Sequence, residues 1–272
     1  MDLSLLRIAI LAYLVATATC ALELLAPRPG LRRVGLNALR VGAVFHACAI
    51  AARFLSAGHF PITSFSDSLS VLAFLVVGAF LFLQVRWPIG SLAVVIGPLA
   101  FMGTLGAHAF YRGQATMPAH LQSALLPVHV ILAVLGNTLF SLAFAVSLAY
   151  LVQERRLKTK RVVVRMRLPP LETLDQLNYR FLTWGLSLFT LAIVSGIVWA
   201  HLAWGSFWSR EPRLVWAMVT WVVYAIVFQG RVTVGMRGRR AAALTIVGFA
   251  TLVCSLIGVN FFTPGRHGGT FG

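Results

Sequence analysis

Residues 126–151 read LPVHVILAVLGNTLFSLAFAVSLAYL and contain no Asp, Glu, Lys or Arg. A helix rising 1.5 Å per residue needs about 20 such residues to cross the roughly 30 Å hydrocarbon core of a bilayer. Working outward, seven more runs meet the same requirement: 3–25, 38–57, 66–85, 89–110, 180–203, 212–229 and 241–262. Their helical periodicity is blurred, as it must be when lipid and protein neighbours are both apolar. The first run is too long, and with Arg7 alone too weakly basic, to read as a cleavable signal peptide, so it counts as a helix. The expected fold is therefore all-α: a polytopic bundle of about eight transmembrane helices, with residues 1–272 as a single integral-membrane domain. Composition agrees, since 59% of the 272 residues are hydrophobic, 11% are charged, and mean hydropathy is +0.85. An ordinary soluble enzyme carries about 25% charge, so that class is excluded.

The chain has 23 Lys+Arg against 7 Asp+Glu, a formal net charge of +16. In a soluble protein this would suggest nucleic acid; here the placement of the charges decides otherwise. Alternate loops hold seventeen basic residues, among them Arg28, Arg32, Arg33, Arg86, the run Arg155–Arg167, Arg231 and Arg237. The opposite loops hold four: Arg112, Arg210, Arg213 and Arg266. The positive-inside rule puts the basic loops in the cytoplasm and both termini outside. The basic run 155–167 then reads as a topology signal lying against anionic lipid, and no nucleic-acid partner is expected. Leu171, Leu174 and Leu177 recur every third residue behind Pro169-Pro170, which predicts a short interfacial helix before the sixth span. Cys20, Cys48 and Cys254 fall inside separate spans without any CxxC, and read as small core residues.

The cytoplasmic loops contain no phosphate-binding loop, dinucleotide fingerprint or paired carboxylates. The outer segments are richer. Five of the seven tryptophans (Trp199, Trp204, Trp208, Trp216 and Trp221) crowd around one outer loop. Tryptophan is enriched at both membrane interfaces, but a belt would spread its members over several helices and both faces. An aromatic belt and an aromatic-walled ligand surface both remain open on composition. Histidines add to the second reading. His129 lies just inside the fifth span near the outer surface, and His267 follows the eighth span on the same side. His59, His108, His120 and His201 are also outer or at the boundary, and only His46 sits deeper. Any one of them alone reads as a hydrogen-bonded interfacial histidine. A pair of neutral imidazoles flanking a planar aromatic slot is what bis-histidine haem ligation requires. Arg210, Arg213, Arg112 and Arg266 are placed to pair with haem carboxylates.

The stretch 199–213, WAHLAWGSFWSREPR, followed by Trp216-Ala217 and Thr220-Trp221 to Tyr224-Ala225, resembles the tryptophan-rich WWD segment of cytochrome c assembly proteins. That family comprises the CcsA and CcmC type and the related HemX-like proteins. Supporting matches are Leu126-Pro127-Val128-His129 opening a long helix, Leu168-Pro169-Pro170-Leu171-Glu172, Ser195-Gly196 through Trp199-Ala200, Gly258 to Phe262, and Gly58-His59-Phe60-Pro61-Ile62. Eight spans fit the short HemX-like branch. The resemblance implies a haem-handling protein that presents non-covalently bound haem b at the outer face. His129 and His267 carry over as the axial pair, with Trp199, Trp204, Trp208, Trp216, Arg210, Glu211 and Arg213 lining the cofactor.

The chain also departs from the family pattern. Arg210 and Glu211 replace its Trp-Asp pair, and Leu214 its next acidic residue. Gln229 stands where a histidine commonly ends the seventh span, which argues against a conventional second haem within the membrane. No catalytic residue is assigned. The expected role is a membrane subunit assisting cytochrome c assembly, with haem, an assembly partner or an apocytochrome as partners, besides membrane lipid. The alternatives are a HemX-like regulator acting on a tetrapyrrole-synthesis enzyme, and a haem-free transporter component; against the transporter, no inverted repeat is visible.

Overall fold

The computed structural model describes residues 3–26, 28–58, 60, 64–113, 125–159, 168–204 and 212–262; the side chains at 29, 203, 204, 212, 213 and 259–262 lie outside that description. Eight helices run through these residues: α1 (Leu3–Leu25), α2 (Pro29–Ala57), α3 (Phe65–Leu83), α4 (Ala93–Ala109), α5 (Leu125–Thr159), α6 (Leu171–Trp204), α7 (Pro212–Thr233) and α8 (Arg239–Phe262). A single 3-10 turn, Gly90–Leu92, leads into α4, and no strand occurs among the described residues. All eight helices are long and apolar enough to cross a membrane.

Backbone polar groups in hydrocarbon must be satisfied within the segment, so these runs are helical throughout. Hydroxyls in the spans follow the same rule and donate to carbonyls four residues back, as in Thr138 to Val134, Ser141 to Asn137 and Thr190 to Leu186. The helix ends are marked by side chains and by glycine. Ser64 Oγ accepts the Asp67 backbone N–H at 3.1 Å to start α3. Gly58, with φ at +70°, closes α2 through its N–H to the Phe54 carbonyl.

Three expectations change. The span expected at 38–57 begins at Pro29, with proline at the helix start where its missing N–H costs nothing. The separate interfacial helix at Leu171–Leu177 does not form. Those residues are the first turns of α6, and Leu174 and Leu177 are buried in the core that includes Tyr13, Phe80 and Leu142. Their three-residue spacing is a bundle-facing stripe, not a lipid-facing one. Of the cysteines only Cys20 is buried, while Cys48 and Cys254 lie exposed on the bundle. Lipid accommodates an apolar thiol as well as a protein core does, so burial is not required of it.

The packing has two halves joined through α5. α1 packs on α2 and α4, and α3 on α4; α5 packs on α6 and α8, with α7 against α8 and α6, while α3 reaches α5. The second half has its own core, in which the Phe140 and Tyr224 rings stack at 3.7 Å. The α5–α6 seam is the most informative contact. Small residues let the backbones approach: a Cβ on Gly136 would stand 3.2 Å from Phe189 N, and one on Gly185 would stand 2.9 Å from the Phe140 ring. Leu126 packs with Trp199, Gly136 faces Phe189, Phe140 faces Gly185, and Asn178 Nδ2 donates to Ser147 Oγ. These pairs share one antiparallel register.

Candidate functional site

That register carries His129, in the first turns of α5, onto Ala192 and Gly196 of α6. His129 Nδ1 lies 2.7 Å from the Ala192 carbonyl oxygen. A carbonyl only accepts, so Nδ1 carries a proton, and in the neutral ring Nε2 is then the nitrogen that holds the lone pair. The same carbonyl accepts from Ser195 Oγ at 2.9 Å. A cation-binding imidazole with its other N–H anchored on a backbone carbonyl is the arrangement typical of metal-ligating histidines.

Two more contacts bring other elements to the same level. Trp221 Nε1 donates to Thr190 Oγ1 at 2.8 Å, tying α7 to α6. Counting back along antiparallel helices, Trp216 stands level with Ser195, and therefore with His129. Phe144 of α5 stacks on Phe249 of α8 at 4.2 Å, and Asn178 bridges Ser147 and Thr245. The same counting puts Phe262, the last residue of α8, within about one turn of His129. One height thus holds an oriented imidazole, an aromatic side chain 40% exposed at Trp216, and the start of the C-terminal segment.

Other polar groups resolve differently. His46 is fully buried, with Tyr13 Oη 3.3 Å from Nδ1 and Ser70 Oγ 2.9 Å from Nε2. Both ring nitrogens are engaged, so it is a core histidine linking α1, α2 and α3. Arg53 and Asp67 form a buried bidentate ion pair, Nη2 to Oδ2 at 2.9 Å and Nε against Oδ1, with the guanidinium 5.1 Å from the Tyr111 ring centre. At the opposite end, Asp175 accepts from Arg231 at 2.8 Å and from the Gly238 N–H at 2.9 Å, beside an open cleft of about 790 Å³. Gln229 is exposed near that end of α7. Among the described residues no group of three or more His, Cys, Asp or Glu side chains is placed to hold a metal ion.

Comparisons with known proteins bear on this site. The profile of the family described as "Cytochrome C assembly protein" matches residues 39–267. This chain belongs to the cytochrome c assembly protein family. It is 31% identical to a "Cytochrome c biogenesis protein CcsA" of Synechococcus sp. (strain CC9605), over 79% of each chain. Against the CcsA of Gloeobacter violaceus (strain ATCC 29082 / PCC 7421) it is 29% identical, over 94% of this chain and 92% of that one. Its fold is shared with a solved "Cytochrome c Heme Lyase CcmF", with a TM-score of 0.68 and 15% identity over 93% of this chain. The chain spans 46% of that protein's length.

In this cytochrome c assembly protein, the structure describes three of the expected site residues. His129 is held as above, Trp216 stands at its level, and Trp199 is 5% exposed, packed with Leu126 in the α5–α6 seam. Trp208, Arg210, Glu211 and His267 lie outside the described residues, as do the side chains of Trp204 and Arg213. Sequence reasoning missed the Ala192 carbonyl and Gly196, because a backbone acceptor and an absent side chain carry no composition signal. It also missed the partnership of Arg53 with Asp67. The sequence did hold a signal for it: an acidic residue and a basic residue, each at an end of an apolar run.

Proposed function

We propose that this chain binds haem b non-covalently between His129 and His267 and presents it at the outer membrane face during cytochrome c assembly. The observation that carries the reading is the Nδ1–H of His129 on the Ala192 carbonyl, which leaves Nε2 as the basic nitrogen an iron needs. The donor set fits a neutral, bis-imidazole iron. His267 comes five residues after Phe262, a reach of at most about 18 Å, and Phe262 stands near His129's level. Trp216 supplies a ring face at this end, with Trp199 in the seam, and Trp204 and Trp208 are assigned to the same surface by their sequence positions alone. Arg210 and Arg213 suit the two carboxylates of the cargo, and Glu211 lies between them in sequence.

The excess of basic residues in alternate loops supports an orientation with this end, and both termini, outside a bacterial inner membrane. Partners of the proposed reaction are an apocytochrome or another assembly component, in keeping with the names of the CcsA relatives. Detergent-purified protein from haem-replete cells tests the reading by its visible spectrum. Single His129→Ala and His267→Ala variants should lose the bis-histidine spectrum, and added imidazole should partly restore each by filling the vacated position. An unchanged spectrum in both refutes the assignment. Deletion in the native host separates the short-branch alternative. Loss of covalently attached haem supports assembly, whereas intact attachment with altered tetrapyrrole output supports HemX-like regulation.

A further inference from the structure

We infer that Gly196 is the positioning residue for His129: the bare Cα of α6 forms the notch that seats the imidazole on the Ala192 carbonyl. The inference rests on His129 being an iron ligand, and it adds the element that sets which nitrogen the iron meets. Gly196 and Ala192 are one helical turn apart, on the same face of α6. A Cβ built on Gly196 would stand 2.7 Å from both Cε1 and Nδ1 of His129, and 3.5 Å from Nε2. The ring therefore lays its Cε1–Nδ1 edge on α6, with Nε2 farther from it. A methyl group at 2.7 Å cannot coexist with that pose, because carbon atoms meet at about 3.5 Å or more. Alanine must displace the ring from this pose, which stretches or breaks the 2.7 Å hydrogen bond to Ala192. Without that bond the Nδ1–H loses the carbonyl that accepts it. A ring protonated on Nε2 has no lone pair there to give a metal.

The other seam glycines do not share this role. Gly185 makes room for the Phe140 ring, and Gly136 for the backbone around Phe189. Of these three seam glycines, only Gly196 faces a group with ligand chemistry. Loss of such an outer-shell hydrogen bond typically weakens metal affinity 10–100-fold.

The test begins without haem. In apo protein uniformly labelled with 15N-histidine, the signal that disappears in His129→Ala is that of His129. Wild type should show protonated Nδ1 and unprotonated Nε2; Gly196→Ala should show a mixture or the reverse. Titration with ferric haem should then give 10–100-fold weaker binding in Gly196→Ala, partly recovered by imidazole. Gly185→Ala, which crowds the same seam away from His129, should keep the wild-type tautomer and bind haem within about twofold of wild type. An unchanged tautomer in Gly196→Ala overturns the notch. A changed tautomer with unchanged haem affinity refutes His129 as the ligand, and the proposed site with it. If Gly196→Ala fails to fold, the double variant His129→Ala/Gly196→Ala should recover the yield of His129→Ala, because the clash needs both groups. A double variant as poor as Gly196→Ala alone overturns the inference.

Discussion

The buried pair of Arg53 and Asp67 makes a quantitative demand on the first half of the bundle. The two residues are 4% and 1% exposed and meet along the Nε–Nη2 edge of the guanidinium, so α2 and α3 each bury a charge against its opposite. Asp67→Asn removes the charge and keeps shape, including the backbone N–H that Ser64 caps. Removing one partner of a buried pair leaves the other uncompensated, at about 3–5 kcal/mol. That is roughly two to four powers of ten in the unfolding equilibrium. Replacing both by apolar residues of similar volume, Arg53→Met with Asp67→Leu, should return stability to within about 1 kcal/mol of wild type or above it. Equilibrium unfolding in mixed micelles with increasing SDS measures both variants, and the double-mutant cycle gives the coupling between the sites. If Asp67→Asn lies within about 1 kcal/mol of wild type, the pair is solvated and the argument fails. A double variant as unstable as the single refutes it equally, because the cost would then come from packing.

Further tests concern topology, the aromatic surface and the opposite end of the bundle. Reporter fusions after Glu154 and after Gly272 should report cytoplasm and exterior respectively, and the reverse pattern would move every proposed haem residue to the wrong face. Replacing Trp204, Trp208 and Trp216 together with Leu should lower haem occupancy while leaving membrane insertion intact, since each aromatic pair loses about 0.5–1.5 kcal/mol beyond its area; equal haem content would support an interfacial belt. Asp175→Asn weakens the Arg231 and Gly238 contacts at once and should cost about 2–3 kcal/mol in the same SDS titration. Its haem spectrum should stay as in wild type, because the network stands at the end of α6 remote from His129. A spectral change there would show that the two ends are coupled.

What could be read from the chain alone was local. A run such as 126–151 has to be helical in a bilayer whatever surrounds it, because each backbone group must find its partner within the segment. Length, polarity and the uneven basic loops therefore yield eight helices and an expected orientation. His129 stood out because an ionisable side chain in an apolar run is costly without a purpose. Neighbours were a different matter. Lipid is as apolar as leucine, so hydrophobic periodicity cannot say whether a face meets lipid or another helix. For that reason the stripe of Leu171, Leu174 and Leu177 looked interfacial while Leu174 and Leu177 proved to be core, and Cys48 looked core and proved to be surface. The α5–α6 register depends on where small residues permit close approach, and only the assembled bundle brings Gly196 and the Ala192 carbonyl against one imidazole. Sequence alone determined that a histidine stands at the membrane boundary. Tertiary structure decided which of its nitrogens carries the proton, because a backbone carbonyl becomes a hydrogen-bond partner only when packing brings it within reach.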